Sequence, residues 1–275
     1  MICSKPILLT GAEVPCGQCM SCRINRGRKW TGKLILESAS TGPTFNYFVT
    51  LTYDEGNLPA GGTLVKEDGR LFRKRLYQAL GSQLRFFFVG EYGEVTFRPH
   101  YHAILFGVDP TVDITATVAK CWPQGFVTVD HFSDKRAAYV AQYCLKKMTK
   151  PDDIRLGSRH PEYSQMSRRP ALGDSFVTDV LAPWYQSAQG QAFIARSGDV
   201  TSTFRTGGKT YPLTNRHVRM LRAAAGLPEL VADCIDRNPA ARRPPVSIDK
   251  LRSQPNREQQ IATRSKIFKS RTQRV

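Results

Sequence analysis

The sequence lacks a long apolar run. No stretch approaches the roughly 18 consecutive apolar residues that a membrane-spanning helix needs. The first 19 residues contain no long apolar segment followed by a small-residue cleavage site. We therefore expect a soluble, intracellular protein of 275 residues with no membrane partner. Nothing in the chain resembles an ATP-binding loop or a polymerase site, so those activities would have to come from partners.

Acidic residues are scarce relative to basic ones. The chain has 23 Asp and Glu against 40 Lys and Arg, which gives a formal net charge of +17. Such a balance is typical of proteins that bind a polyanion, and nucleic acid is the leading candidate. The alternative is a solvated basic face that has no such partner.

The seven cysteines are an odd number in a chain without a secretory signal, which argues against a disulfide framework. Three of them form a CxxCxxC pattern at Cys16, Cys19 and Cys22, and Cys3 is available as a fourth thiolate. Four thiolates can close a tetrahedral structural Zn²⁺ site. Free thiols and an iron–sulfur cluster are the alternatives, although the pattern lacks the next cysteine of a ferredoxin run.

The order of predicted elements indicates an α+β fold, with helices packed on an antiparallel sheet. Strands are predicted over residues 46–54, 84–93, 100–108 and 125–132, and helices within 16–40 and over 66–82, 111–122 and 134–148. We divide the chain into a Cys-rich segment with a helix (1–40), a core (41–150), a partly helical extension (151–236) and a basic tail (237–275). The tail is low in apolar residues, so we expect it to be disordered until it meets a partner.

Two of only five histidines lie one residue apart in a predicted strand. Alternation puts His100 and His102 on one face and Tyr101 on the other. Glu91 ends the preceding strand, so hairpin pairing brings it near His100. Two imidazoles and a carboxylate leave coordination positions open, which suits Mg²⁺ or Mn²⁺ held partly by a substrate phosphate; Zn²⁺ stays open by ligand type. The alternative is a pair of buried histidines satisfied by hydrogen bonds.

Tyr139, Tyr143 and Lys146 project from one face of the predicted helix 134–148. Such tyrosines often do no more than pack against a sheet. As nucleophiles they would need help, because the reference pKa of a tyrosine hydroxyl is about 10. A metal on the electrophile and a nearby lysine would supply that help.

Together these residues resemble the histidine–hydrophobe–histidine (HUH) endonucleases, which start rolling-circle DNA replication. Three motifs carry the resemblance: FVTLTY at 48–53, PHYH at 99–102 and YCLK at 143–146. A nearer resemblance is to the replication initiation proteins of gokushoviruses, small single-stranded DNA phages of the Microviridae. The stretches that carry it are PCGQCMSCR (15–23), FVTLTYDE (48–55), GEYGEVTFRPHYHAILFG (90–107), YVAQYCLKK (139–147) and MSRRPALG (166–173).

This resemblance implies an HUH nuclease core over 41–150 and a role for each site residue. His100, His102 and Glu91 would hold Mg²⁺ or Mn²⁺, and Tyr139 or Tyr143 would attack a DNA phosphate to give a 5′-phosphotyrosine, with Lys146 stabilising the charge. Single-stranded circular DNA and its origin would be the substrate. A host helicase and DNA polymerase would be partners, in the cytoplasm of a bacterial host cell.

Basic residues are expected to contact the DNA phosphates, with an affinity that falls steeply in salt. The candidates are Arg98, Lys147, Arg242 and Arg243, the last two in the basic tail. Two other readings compete. One is a related HUH enzyme, a relaxase or single-strand transposase, although the three-histidine cluster common in relaxases is missing. The other is a non-enzymatic, zinc-containing DNA-binding protein, which leaves the paired histidines and tyrosines unexplained.

Overall fold

The computed structural model describes residues 3–9, 12–42, 45–143, 153–228 and 246–248. Among these residues the chain forms two compact units. One takes the residues from Thr41 to Arg168, and the other combines those up to Ser40 with those from Arg169 onward. The N-terminal helix therefore groups with the region after residue 169, which the sequence did not suggest. None of the described helices has both the length and the apolar character that a membrane span requires.

The elements in the first half of the chain are β1 (Ile7–Leu9), β2 (Ala12–Val14), α1 (Met20–Thr41), β3 (Asn46–Tyr53), α2 (Lys66–Leu80), β4 (Arg85–Tyr92), β5 (Pro99–Phe106), α3 (Ile114–Cys121), β6 (Gly125–His131) and α4 (Asp134–Tyr143). Those that follow are β7 (Tyr163–Met166), α5 (Asp174–Phe176), α6 (Ala182–Gln186), α7 (Ala188–Ser197), β8 (Thr203–Thr206), β9 (Lys209–Pro212), α8 (Asn215–Ala224) and β10 (Val246–Ser247). A 3-10 turn spans Ala60–Gly62, and a π-helical turn spans Val177–Leu181.

The unit from Thr41 to Arg168 is built on a five-stranded sheet of order β6-β3-β5-β4-β7, in which every pairing is antiparallel. The predicted α+β class and its antiparallel sheet are confirmed. Alternation along the strands gives the sheet two different faces. One face carries Val49, Leu51, Tyr101 and Leu105 and packs with apolar residues of α2 and α3 to form the core. The other face carries His100 and His102.

Hydrogen bonds between tyrosines join α2 to the core face of the sheet. The Tyr101 hydroxyl accepts from the Val65 amide at 3.0 Å and donates to the Val65 carbonyl at 2.9 Å. It also lies 2.8 Å from the hydroxyl of Tyr53, which donates to Asp68 in the first turn of α2. Tyr101 is fully buried, so these partners satisfy a polar group that would otherwise be costly to bury. They fix β5 at the residue between the two histidines.

The other unit combines α1 with two small sheets and four short helices. β1 pairs with β2, and a three-stranded sheet has the order β10-β8-β9. Buried polar groups hold α1 to the turn before α5: the Glu37 carboxylate accepts from the Gly173 amide at 2.7 Å. Asp174 accepts from Arg216 of α8 at 2.8 Å, and the imidazole of His217 lies 3.3 Å from the same carboxylate. Burial lowers the pKa of His217 to about 4, so this histidine is neutral at physiological pH.

Several sequence-based element predictions agree with the structure and others were missed. The strands and helices predicted between residues 46 and 143 are present, and Ser133 caps α4 by accepting from the Arg136 amide at 3.3 Å. The predicted continuation of this helix to residue 148 lies outside the described residues, as does almost all of the tail from 237. Strands β7, β8 and β9 were missed because each has only four residues.

Gly125 begins β6 at a point where two backbones nearly touch. Its φ is +156°, and a Cβ there would lie 2.3 Å from the Thr52 carbonyl oxygen and 2.4 Å from the Asp54 amide nitrogen. We predict that Gly125→Ala lowers the free energy of unfolding by about 3 kcal/mol or more, because rigid backbone would have to move. Gly81→Ala is the matched control, since Gly81 has φ +61° and open space; it should cost only about 1 kcal/mol. Urea denaturation measures both, and equal costs would contradict the role of the close approach.

Candidate active site

Glu91, His100 and His102 lie together on the face of the sheet opposite the core. In the β4–β5 pairing Glu91 is directly opposite His100, and His102 is opposite Val89. The Glu91 Oε1 atom is 2.8 Å from His100 Nε2 and 2.9 Å from His102 Nε2. Ligand atoms of the three residues lie within 4.8 Å of one another. The register thus converts a sequence spacing into a three-residue cluster.

The far nitrogen of each imidazole has a partner that orients its ring. His100 Nδ1 lies 3.2 Å from the Arg98 carbonyl oxygen, and His102 Nδ1 lies 3.0 Å from the Thr50 hydroxyl. A carbonyl oxygen only accepts, so His100 Nδ1 carries a proton, and in the neutral ring the lone pair is then on Nε2. Metal-binding histidines are typically oriented through their second nitrogen in this way.

The cluster is electrostatically tuned by burial and by its own contacts. Glu91 is only 1% exposed. Burial disfavours its charged form, but the hydrogen bonds from His100 and His102 outweigh burial and lower the pKa of Glu91. Burial likewise opposes a positive charge on His100, yet the contact with Glu91 raises the pKa of His100 above its ordinary value. An ionised carboxylate is therefore held between two imidazoles.

The three residues fit a divalent metal ion. The second carboxylate oxygen of Glu91, Oε2, is buried and has no hydrogen-bond partner among the described residues. Octahedral ligands about 2.1 Å from an ion are about 3.0 Å apart when adjacent, close to the 2.8 and 2.9 Å between the carboxylate and the two imidazoles. Two nitrogens and one carboxylate leave positions for a substrate oxygen and water.

Tyr139 of α4 reaches this cluster. Its ring meets the His102 ring edge to face, with centroids 5.5 Å apart, and also contacts the Phe48 ring at 6.5 Å. Tyr139 is 43% exposed, so its ring packs against the site without being enclosed. Tyr143 is the last residue of the same helix. Lys146 and Lys147 lie outside the described residues, as do Arg242 and Arg243.

Arg98, predicted to contact DNA, lies at the same end of the sheet. Its guanidinium donates to the Tyr53 carbonyl oxygen at 2.9 Å and pairs with the exposed carboxylate of Glu55 at 2.5 Å. Its own carbonyl oxygen is the partner of His100. Arg98 is therefore anchored beside the cluster by both its side chain and its backbone.

Sequence reasoning missed two polar neighbours of the cluster. Thr50 is opposite His102 in the β3–β5 pairing and contacts its ring nitrogen, and the strand pattern alone signalled its face. Glu162 is buried just before β7, where it accepts from the Tyr92 amide at 3.2 Å and interacts electrostatically with His100. No local pattern marks Glu162, because it follows a turn-rich segment and reaches the site only through the pairing of β7 with β4.

The four predicted cysteines also come together, in the other unit. Cys3 Sγ is 3.5 Å from Cys16 Sγ and 3.8 Å from Cys19 Sγ, and all four sulfurs, including that of Cys22, lie within 4.8 Å of one another. None of the four is in a disulfide. Backbone amides donate to two of the sulfurs, from Cys16 to Cys3 and from Cys19 to Cys16, each at 3.3 Å.

The protonation states of these thiols differ. Hydrogen bonds, first from Ser4, lower the pKa of Cys19 to about 5, and backbone hydrogen bonds lower the pKa of Cys16. Burial raises the pKa of Cys22 to about 12. The cluster therefore offers thiolate character at Cys16 and Cys19 even with no cation present.

Comparison with known proteins gives a consistent result. Residues 46–148 match a family of replication-associated proteins, described as the ORF2 type. Replication-associated protein ORF2 of Spiroplasma virus 4 is 29% identical over 157 residues, which cover 50% of this chain and 49% of the relative. VP4 of Bdellovibrio phage phiMH2K is 29% identical over 190 residues (62% and 59%), and ORF4 of Chlamydia phage 1 is 28% identical over 190 residues (61% and 47%).

The chain thus spans about half the length of these relatives. No solved structure matches it significantly. The family match covers β3 to α4 and so includes Glu91, His100, His102 and Tyr139. These findings confirm the resemblance predicted from the motifs: this chain is related to the phage replication-associated proteins, of the gokushovirus replication initiator type.

Proposed function

We propose that this protein is a rolling-circle replication initiator that nicks single-stranded origin DNA through a tyrosine and rejoins the ends. One observation carries the proposal: a buried carboxylate bridges two imidazoles on an open sheet face, and a helical tyrosine packs against one of them. A bridging carboxylate and two imidazoles are a metal-binding set, and an adjacent tyrosine is a nucleophile. The net charge of +17 suits a DNA substrate.

Glu91, His100 and His102 would hold Mg²⁺ or Mn²⁺, which when bound polarises the scissile phosphate. A tyrosine hydroxyl of α4 attacks that phosphorus: the tyrosine O–P bond forms and the bond from phosphorus to the 3′ oxygen breaks. The proton lost by the tyrosine ends on the 3′ oxygen, which leaves a free 3′-hydroxyl and a 5′-phosphotyrosine. Lys146 is proposed to stabilise the phenolate or the phosphate during the transfer.

The free 3′-hydroxyl then primes DNA synthesis by a host polymerase with a host helicase, in the cytoplasm of the bacterial cell. After one round, the second tyrosine cleaves the regenerated origin, and the released 3′-hydroxyl attacks the first phosphotyrosine to close a circle. Nicking and joining are one transesterification run in two directions. A relaxase or transposase would share the nicking step, but the match to replication-associated proteins favours replication.

We further propose that Cys3, Cys16, Cys19 and Cys22 hold a structural Zn²⁺ ion. In a tetrahedral site with Zn–S bonds near 2.3 Å the sulfurs lie about 3.8 Å apart. The observed separations of 3.5 and 3.8 Å are close to this value. Four protein ligands leave no open position, so this ion would stabilise the fold without taking part in the reaction.

The first prediction concerns the catalytic metal. Replacing both His100 and His102 with alanine should weaken Mn²⁺ binding at least about 100-fold, because loss of ligands costs more than loss of their outer partners. Calorimetric titration measures the affinity. His131→Ala is the control, since His131 is an exposed histidine at the end of β6. An unchanged Mn²⁺ affinity in the double variant would rule out this cluster as the metal site.

The second prediction concerns the nucleophile. With Mn²⁺ or Mg²⁺ and the single-stranded circular DNA of its own replicon, the protein should form a covalent adduct visible on a denaturing gel. The double variant Tyr139→Phe with Tyr143→Phe should form none, because no helical hydroxyl remains, and the single variants identify the residue that starts. Tyr77→Phe, whose hydroxyl donates to the Leu84 carbonyl in the core, should keep full adduct formation. A DNA-bound double variant that still forms adduct would refute tyrosine attack by α4.

The third prediction concerns the cysteine cluster. Protein purified without chelator should contain one zinc ion per chain, measured by elemental analysis. Cys16→Ser with Cys19→Ser should lose it and unfold at a lower temperature, because zinc binding contributes directly to folding. Cys121→Ser is the control, since Cys121 is a buried thiol of α3 outside the cluster. Iron in place of zinc would favour the iron–sulfur alternative, and no metal would leave only free thiols.

A further inference from the structure

Phe126 is an exposed aromatic residue on the same sheet face as the candidate metal ligands. It is opposite Thr52 in the β3–β6 pairing, Thr52 is opposite His100 in the β3–β5 pairing, and His100 is opposite Glu91. Directly opposed residues in antiparallel strands project to the same face. Phe126, Thr52, His100 and Glu91 therefore form one row across four strands, which we call the ligand row.

The burial pattern of β6 supports this orientation. Val127 and Val129, the residues that alternate with this face, pack against the core on the other side of the sheet. Phe126 is 70% exposed, although a phenylalanine ring gains free energy from burial. Neighbouring strands are about 4.8 Å apart, so two strand steps put Phe126 about 10 Å from His100. That distance corresponds to one or two nucleotides along an extended strand.

The backbone that carries Phe126 is held firmly. The Phe126 carbonyl oxygen accepts from the Thr52 hydroxyl at 3.3 Å, and the Thr52 carbonyl oxygen accepts from the Trp122 indole at 3.0 Å. The close approach at Gly125 leaves the start of β6 no room to shift. A ring on such a backbone presents a fixed flat surface, and a rigid apolar surface binds a flat partner with little loss of conformational freedom.

We propose that Phe126 is the stacking surface for a nucleobase next to the scissile phosphate of single-stranded DNA. Every nucleobase has a π-face, so an aromatic ring binds bases without requiring a particular sequence. An exposed phenylalanine in isolation would need no explanation. This one is in the ligand row of a strongly basic protein, beside the residues proposed to engage the phosphate. The assignment rests on the proposed function, which it extends from the phosphate to the adjacent base.

The test compares DNA that has bases with DNA that has none. Equilibrium binding is measured without divalent metal for two single-stranded 12-mers, one of mixed sequence and one made entirely of abasic nucleotides. The variants are Phe126→Ala, Phe126→Trp and, as the matched control, Ile154→Ala, which removes a 95% exposed apolar side chain outside the sheet. Thermal unfolding of each variant reports on folding separately.

Phe126→Ala should weaken binding of the mixed-sequence strand roughly 5- to 100-fold, the range that one lost base–aromatic stack gives, and leave abasic binding unchanged. Phe126→Trp should bind within about twofold of the unsubstituted protein, because it keeps an aromatic face. Ile154→Ala should bind both strands normally. Equal weakening on both strands, or none on either, would overturn the proposal.

Failure of this proposal and failure of the nuclease proposal give different results. If Phe126 does not stack on a base, the base-dependent difference disappears while the metal-dependent tyrosine adduct still forms. If the protein is not a nuclease, the adduct is missing while the base-dependent loss in Phe126→Ala persists. With both intact, Phe126→Ala should form adduct normally at saturating DNA and lose it at low DNA concentration.

Discussion

The antiparallel register between β4 and β5 is the constraint on which the candidate site depends. Because side chains alternate along a strand, a shift of one residue would send every site residue to the opposite face. In the observed register Glu91 opposes His100, and Tyr101 contributes its hydroxyl to the core side. The hydrogen bonds of Tyr101 therefore do more than stabilise the core. They resist the slip that would bury the histidines and expose the tyrosine.

The same register creates an electrostatic problem that the site resolves locally. A buried carboxylate loses its hydration, which costs several kcal/mol unless partners replace the water. Two imidazoles supply partners for one oxygen of Glu91, and the other oxygen has none among the described residues. A divalent cation would satisfy both needs at once, since it offers charge and a coordination position. The site therefore gains most of its stability when a cation is present.

Much of this arrangement could be predicted from the sequence because the determining patterns are local. Alternation places His100 and His102 on one face, a short connection makes β4 and β5 a hairpin, and a four-residue spacing puts Tyr139 and Tyr143 on one side of α4. Glu162 and Phe126 could not be found in this way. Glu162 reaches the site only when a four-residue strand pairs at the far edge of the sheet. The position of Phe126 requires two successive registers between strands that are distant in sequence.

The division of labour between the two sheet faces explains how one domain can be both stable and polar at its site. The large aromatic residues of this unit, including Tyr101, Trp122, Phe72 and Phe88, are buried together on the face that packs with α2 and α3. Because that face supplies most of the apolar burial, the opposite face need not be apolar. There α4 contributes an aromatic contact through Tyr139, which packs on His102 and Phe48. Phosphate chemistry requires an accessible, charged surface, and a two-faced sheet provides it without weakening the core.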